Sequence, residues 1–246
     1  MPTSFLDLPG ELRNKIYDIA LVRDEPIDPR YGCLNLVPTL LATNRTILHE
    51  SRSFLYGENI FDLTASHPQL ISEFLDEIGC SNAGHIRRLA INFPTLCDFD
   101  NNVRLADDSS SLLDTIGSAC INMVMIMIPV DSTETLELTL DDLDSPKAAG
   151  EALALIDARF RKIQTLQEIV VEAYDEGPSD HNRRIMQGLG WVLKVVERVP
   201  ESEEWYSDRD YLTDHDDDYY DDDDDDDDDD EYDIDNDSDF WRRAAD

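Results

Sequence analysis

Short apolar runs alternate with longer amphipathic runs along most of this chain, and that alternation constrains its fold more than any other feature. The runs "NIFDL" (59–63), "HIRRLAINF" (85–93), "TLELTL" (135–140) and "LQEIVVEA" (166–173) read as strands. Helices are expected at 68–79, 111–128, 146–163 and 180–199, where apolar residues recur every three or four positions. A strand–helix–strand unit makes its strands parallel, through a right-handed crossover. The expected fold class is therefore α/β, with N-terminal helices followed by alternating helix–strand units. Two arrangements fit: an irregular, leucine-rich-repeat-like stack, or a small open sheet with helices. Strand starts near 86, 135 and 166 are unevenly spaced, whereas a regular leucine-rich repeat keeps a short, steady period.

Two more helices precede the first strand. Pro9 suits the first helical position, where its missing N–H costs nothing, and Glu11 complements the helix dipole, so helix one is expected over 9–21. Leu12, Ile16, Ile19 and Ala20 fall on one stripe, with Arg13, Asn14, Lys15 and Asp18 mostly off it. That stripe either packs on helix two as core or faces outward as a docking surface. Helix two is expected over 39–56, with Leu41, Leu48 and Leu55 seven residues apart and Gly57 as its stop.

Charge sets the class of partner. The net charge is −36. Residues 201–246 carry 25 acidic and 3 basic side chains, against 31 and 17 in residues 1–200. Ten consecutive aspartates at 221–230 repel one another and form helix poorly, so a disordered acidic tail is expected over 201–246. An acidic body repels phosphate backbones and anionic lipid, so neither nucleic acid nor membrane is an expected partner. Basic proteins are attracted to it. The longest nearly apolar stretch, 119–130, is shorter than the roughly 20 residues a bilayer requires. The N-terminal residues lack the pattern of a signal peptide, so an intracellular location, cytoplasm or nucleus, is expected. Cys33, Cys80, Cys97 and Cys120 form no CxxC pair and should be free thiols.

No catalytic signature is present: no HExxH, P-loop, GxGxxG or serine nucleophile elbow. The five histidines are scattered, and Cys80 with His85 lacks a third metal ligand. The aspartate run lacks the central glycine and closing glutamate of an EF-hand. Neither a cofactor nor a metal is expected, and the chain reads as non-catalytic. Arg87 and Arg88 are neighbours in an expected strand and so point to opposite faces. Solvation and local ion pairs account for them most simply; the alternative is docking of an acidic peptide.

Three blocks of residues then carry a resemblance. "FLDLPGELRNKIYDIAL" (5–21) resembles the opening of an F-box, through Leu8, Pro9, Glu11, Leu12, Ile16 and Ile19 or Leu21. "LLATNRTILHESRSFLYGENIFDL" (40–63) resembles the second block of a large F-box-like family expanded in filamentous fungi, through Arg45, Ile47, Glu50, Leu55, Tyr56, Asn59 and Phe61. "FLDEIGCSNAGHIRRLAI" (74–91) resembles its third block. The link between helices one and two is longer and richer in proline than in a typical F-box, and Tyr56 or Phe61 stands where a tryptophan is usual.

The resemblance implies a module that docks onto the Skp adaptor of a cullin-RING ubiquitin ligase. Leu8, Pro9, Leu12 and Ile16 would pack on that adaptor, and the body would hold an unknown protein substrate. The implied organisation is an F-box-like module at 1–63, an α/β repeat-like body at 64–200 and the acidic tail at 201–246. The alternatives are a stand-alone interaction protein whose tail binds basic proteins, and an enzyme of unrecognised type.

Overall fold

The computed structural model describes residues 4–31, 40–41, 43–64, 66–97, 103–141 and 146–198. Cys33 and the acidic tail at 201–246 lie outside the described residues. In chain order the elements are α1 (Gly10–Leu21), α2 (Arg45–Glu58), β1 (Ile60–Asp62), α3 (Pro68–Ala83), β2 (Arg88–Ala90), β3 (Leu96–Cys97), β4 (Arg104–Leu105), α4 (Asp107–Ala119), β5 (Met125–Ile128), α5 (Val130–Asp141), α6 (Pro146–Phe160), β6 (Glu168–Ala173), α7 (Asp180–Gly188) and β7 (Val192–Val195). The chain is mixed α/β. Its main sheet has five strands in the order β1-β2-β5-β6-β7, each parallel to its neighbour. Strands β3 and β4 form a separate antiparallel pair.

The strand order follows the chain order. Successive right-handed crossovers between sequential parallel strands place their helices on one face. The helices do pack in a row: α1 on α2, α2 on α3, α3 on α4, α4 on α6 and α6 on α7. Phe61, Leu89, Ile126 and Ile169 are aligned in register across four strands, and all are fully buried. Each such side chain contributes about 1.5–3 kcal/mol of burial. The opposite row is Asp62, Ala90, Met127, Val170 and Val192, and it ends exposed at Val192. One core runs from Tyr17 to Trp191, so residues before and after position 63 share it.

The third unit departs from expectation. "TLELTL" lies inside α5, where Leu136 and Leu140 are buried and Leu138 is exposed. Leucine at every second position satisfies a spacing of four as well as two, and here the spacing of four prevails. The strand of that unit is Met125–Ile128, expected at the end of a helix. Helix α4 stops at Ala119, where the Cys120 N–H bonds the Ile116 carbonyl at 2.8 Å. The following apolar run enters the sheet between β2 and β6. A central parallel strand is covered on both sides and needs no alternation; Ile126, Met127 and Ile128 are all buried.

The last helix is also shorter than expected. Gly190 takes φ = +84°, a left-handed conformation that an L side chain resists, and breaks the helix. Trp191 is then buried with its ring centre 5.7 Å from that of Phe93 and 6.4 Å from that of Phe160, and its Nε1 donates to Asp157 at 2.8 Å. With Trp191 anchored there, "VLKV" runs on as β7. At the other end, α2 starts later than expected, after Asn44, whose side chain caps the Thr46 N–H. Gly57 lies within α2 rather than stopping it, and α4 starts at Asp107, four residues before the expected helix.

Asn59 ties the first helices to the sheet. Its fully buried amide donates to the Leu21 carbonyl at 2.7 Å and the Leu55 carbonyl at 2.8 Å, and accepts from the Arg23 N–H at 2.8 Å. Those groups belong to the end of α1, the end of α2 and the chain leaving α1. Beyond them, Ile27 bridges the outer edge of β1 through Ile60 and Asp62. Asn59→Ala would leave several buried polar groups unpaired. We expect a loss of about 2–4 kcal/mol in urea unfolding monitored by tryptophan fluorescence. A change within about 0.5 kcal/mol, the usual range for surface substitutions, would contradict the bracket.

Candidate functional site

Which face of α1 turns inward is decided by a polar cluster. Arg13 donates to Glu50 twice, from Nε to Oε2 at 2.9 Å and from Nη2 to Oε1 at 2.7 Å. Tyr17 O–H donates to the same Oε2 at 2.9 Å. Arg13 Nη1 also donates to the Leu8 carbonyl at 2.7 Å, pulling the turn before α1 onto its own helix. Paired donors on a carboxylate form the stronger, geometrically specific class of hydrogen bond. The Arg13 guanidinium and then the Tyr17 hydroxyl hold the Glu50 carboxyl below its ordinary value. Burial, helped by the Glu50 charge, pushes the Tyr17 phenol up to about 12.

The clamp places Tyr17 and Leu21 inside. The Tyr17 ring lies between Phe5 and Phe54, with ring centres 5.8 and 5.7 Å away. Of the two positions open to the stripe, core or outward face, its large side chains take the outer one: Leu12 is 50%, Ile16 37% and Ile19 75% exposed. Leu8 is half-buried just before the helix, and Pro9 is exposed at its N-cap. Spacing of four and three puts Leu12, Ile16 and Ile19 on one surface, and Leu6 adds a further exposed apolar side chain nearby in sequence. Arg13, expected off the stripe, instead turns toward α2. Of the second-block residues, Ile47, Leu55, Tyr56, Asn59 and Phe61 are buried, Glu50 forms the clamp and Arg45 is exposed.

A second feature has no counterpart in the sequence reading. Where β6 ends, the chain turns through Tyr174–Pro178 and enters α7, and this turn and α5 enclose a cavity of about 370 Å³. The turn is held tightly: the Gly177 N–H bonds the Tyr174 carbonyl at 2.9 Å, and Arg183 donates to the carbonyls of Pro178, Asp175 and Tyr174 at 2.8, 2.6 and 3.1 Å. Glu137 on α5 accepts from the Ser179 N–H at 2.8 Å and the Asn182 amide at 3.0 Å, fixing α5 to the start of α7. The cavity lies outside the carboxyl end of β6, beside Ala173. "DEGPS", a glycine–proline turn directly after a strand, was the available signal.

The other singled-out residues are spread out. Arg88 pairs with Glu58 at 3.5 Å, while Arg87 is exposed. Burial and the nearby Arg52 and His49 hold His85 below its ordinary value. Burial pushes the Cys120 thiol up to about 12. Among the described residues, no group of three His, Cys, Asp or Glu side chains could hold a metal ion, and no helix is long and apolar enough to cross a membrane.

Glu50 has a folded-state value below its ordinary 4.5, so its share of stability is present above about that pH and is lost as pH falls through the folded value. Glu50→Gln should flatten this part of the acid limb. Urea midpoints measured from pH 6 to 3 should fall less steeply for the variant than for the native chain; parallel curves would contradict the clamp. A Cβ on Gly177 would sit 2.6 Å from the Tyr174 carbonyl oxygen. Gly177→Ala should therefore cost about 1–3 kcal/mol by the same unfolding assay. No protein-family model, curated protein or solved structure matches the chain.

Proposed function

We propose that the chain is a non-catalytic interaction adaptor of the F-box type, within the fungal F-box-like family that its three sequence blocks resemble. In this reading α1 docks on the Skp adaptor of a cullin-RING ubiquitin ligase through Leu8, Pro9, Leu12 and Ile16. The repeat-like body presents an unidentified protein substrate. The observation that carries the reading is the apolar outer face of α1. Leu12 and Ile16 remain accessible because Arg13 and Tyr17 turn the adjoining side of the helix against α2. An apolar row beside a clamped, rigid helix suits docking, since little conformational freedom is lost on binding.

Half-exposed Leu12 can be replaced with little effect on folding, so Leu12→Asp separates docking from stability. Co-precipitation with the Skp adaptor should recover it with the native chain and at least about tenfold less with Leu12→Asp, given what a central apolar contact contributes. The melting temperatures of the two proteins should agree. Equal recovery from folded native and variant chains would overturn the reading.

A second reading rests on the acidic segment. Residues 201–246 hold 25 of the 56 acidic side chains, enough to attract basic proteins at moderate salt. Deletion of 201–246 should then abolish capture of histone-like proteins; unchanged capture would reject this reading.

A further inference from the structure

The cavity at the end of β6 already has a cation at its rim, supplied by the chain itself. The Arg198 guanidinium lies 4.6 Å from the centre of the Tyr174 ring and 3.4 Å from Glu134 Oε1. Both partners line the cavity, so the guanidinium rests beside it on two of its lining side chains. The rim also carries Glu176, which has no ion pair among the described residues. Leu138, Ala173 and Pro178 add apolar surface to the lining. Glu137 is committed to Ser179 and Asn182 and acts as a brace.

This combination matches one kind of side chain. An arginine needs apolar surface for its three-carbon stem, an aromatic face for its planar head and carboxylates for its N–H groups. A compact ammonium uses the carboxylates but gains less from the ring plane. A small apolar ligand would make no use of the carboxylates of Glu134 and Glu176. The acidic body favours approach of a basic segment from any direction. We propose that the cavity between α5 and the Tyr174–Pro178 turn recognises an arginine side chain in a basic segment of a partner protein, with Arg198 resting on its rim until that segment displaces it. The proposal does not depend on adaptor docking by α1, which concerns a different surface.

The test is an NMR titration of the ¹⁵N-labelled full chain with the peptide acetyl-Gly-Gly-Arg-Gly-Gly-amide. A second peptide, with neutral citrulline replacing arginine, serves as control. The arginine peptide should shift the amides of Leu138, Tyr174 and Gly177, and the citrulline peptide should not. Shifts at the cavity support the proposal whether or not the acidic tail also responds. Arg198→Ala removes the internal competitor and should tighten binding about fivefold, the value of one exposed cation–π contact plus one weak ion pair. Glu134→Lys, an exchange on the exposed side of α5, should weaken binding at least about tenfold by placing like charge at the rim. Shifts confined to residues 201–246, equal shifts with citrulline, or unchanged binding after Arg198→Ala would overturn it.

Discussion

Glu50 accepts hydrogen bonds from both Arg13 and Tyr17, and the orientation of the N-terminal helix depends on that choice of partner. An amphipathic helix with apolar residues on two sides can roll. The paired bonds from Arg13 fix its rotation, because a guanidinium meets a carboxylate edge to edge in one geometry. Once the rotation is fixed, Tyr17 and Leu21 enter the core and Leu12, Ile16 and Ile19 stay outside. The same rotation brings the Leu21 carbonyl to Asn59, which links both helices to the first strand. A polar cluster thus settles what hydrophobic burial alone leaves open. Burial is proportional to area and indifferent to direction.

Beyond that junction the fold grows by addition. Each strand of the main sheet pairs with the one before it, and α1, α2, α3, α4, α6 and α7 pack in a row. The two ends differ. Ile27 covers the outer edge of β1, whereas β7 closes the sheet with Val192 and Val195 exposed. Near this second end, α5 and the turn after β6 enclose a cavity whose rim holds a guanidinium. The candidate binding features therefore lie far apart in the sequence, on elements held by separate hydrogen-bond networks.

The sequence was most readable where punctuation and period agreed. Helix α1, the start of α7 and strands β1, β2 and β6 lie close to their expected places. It misled where one pattern served two periods, as in "TLELTL", and where an apolar run lacked any breaker, as in the passage from α4 to β5. No local signal distinguishes a central parallel strand from buried helix; neighbours on both sides decide it. The apolar stripe of α1, Leu12, Ile16 and Ile19, was legible as a set of residues, but its direction was not. Arg13 counts as polar in any periodicity, and only the position of Glu50 across the helix pair turns it inward. "DEGPS" signalled the turn after β6 but not the cavity beside it, because Glu134, Tyr174 and Arg198 meet only after the sheet has formed.

The rotation of α1 is the claim on which the functional reading rests, and solvent relaxation of methyl groups measures it directly. In the full chain, labelled at Leu and Ile methyls and mixed with a soluble gadolinium chelate, relaxation falls steeply with depth below the surface. Leu12, Ile16 and Ile19 should relax strongly, while Leu21, Ile47 and Leu55 should remain protected. Protection of Leu12 and Ile16 to the level of Leu55 would mean that the helix presents its apolar stripe to α2 after all, and would contradict an outward docking face.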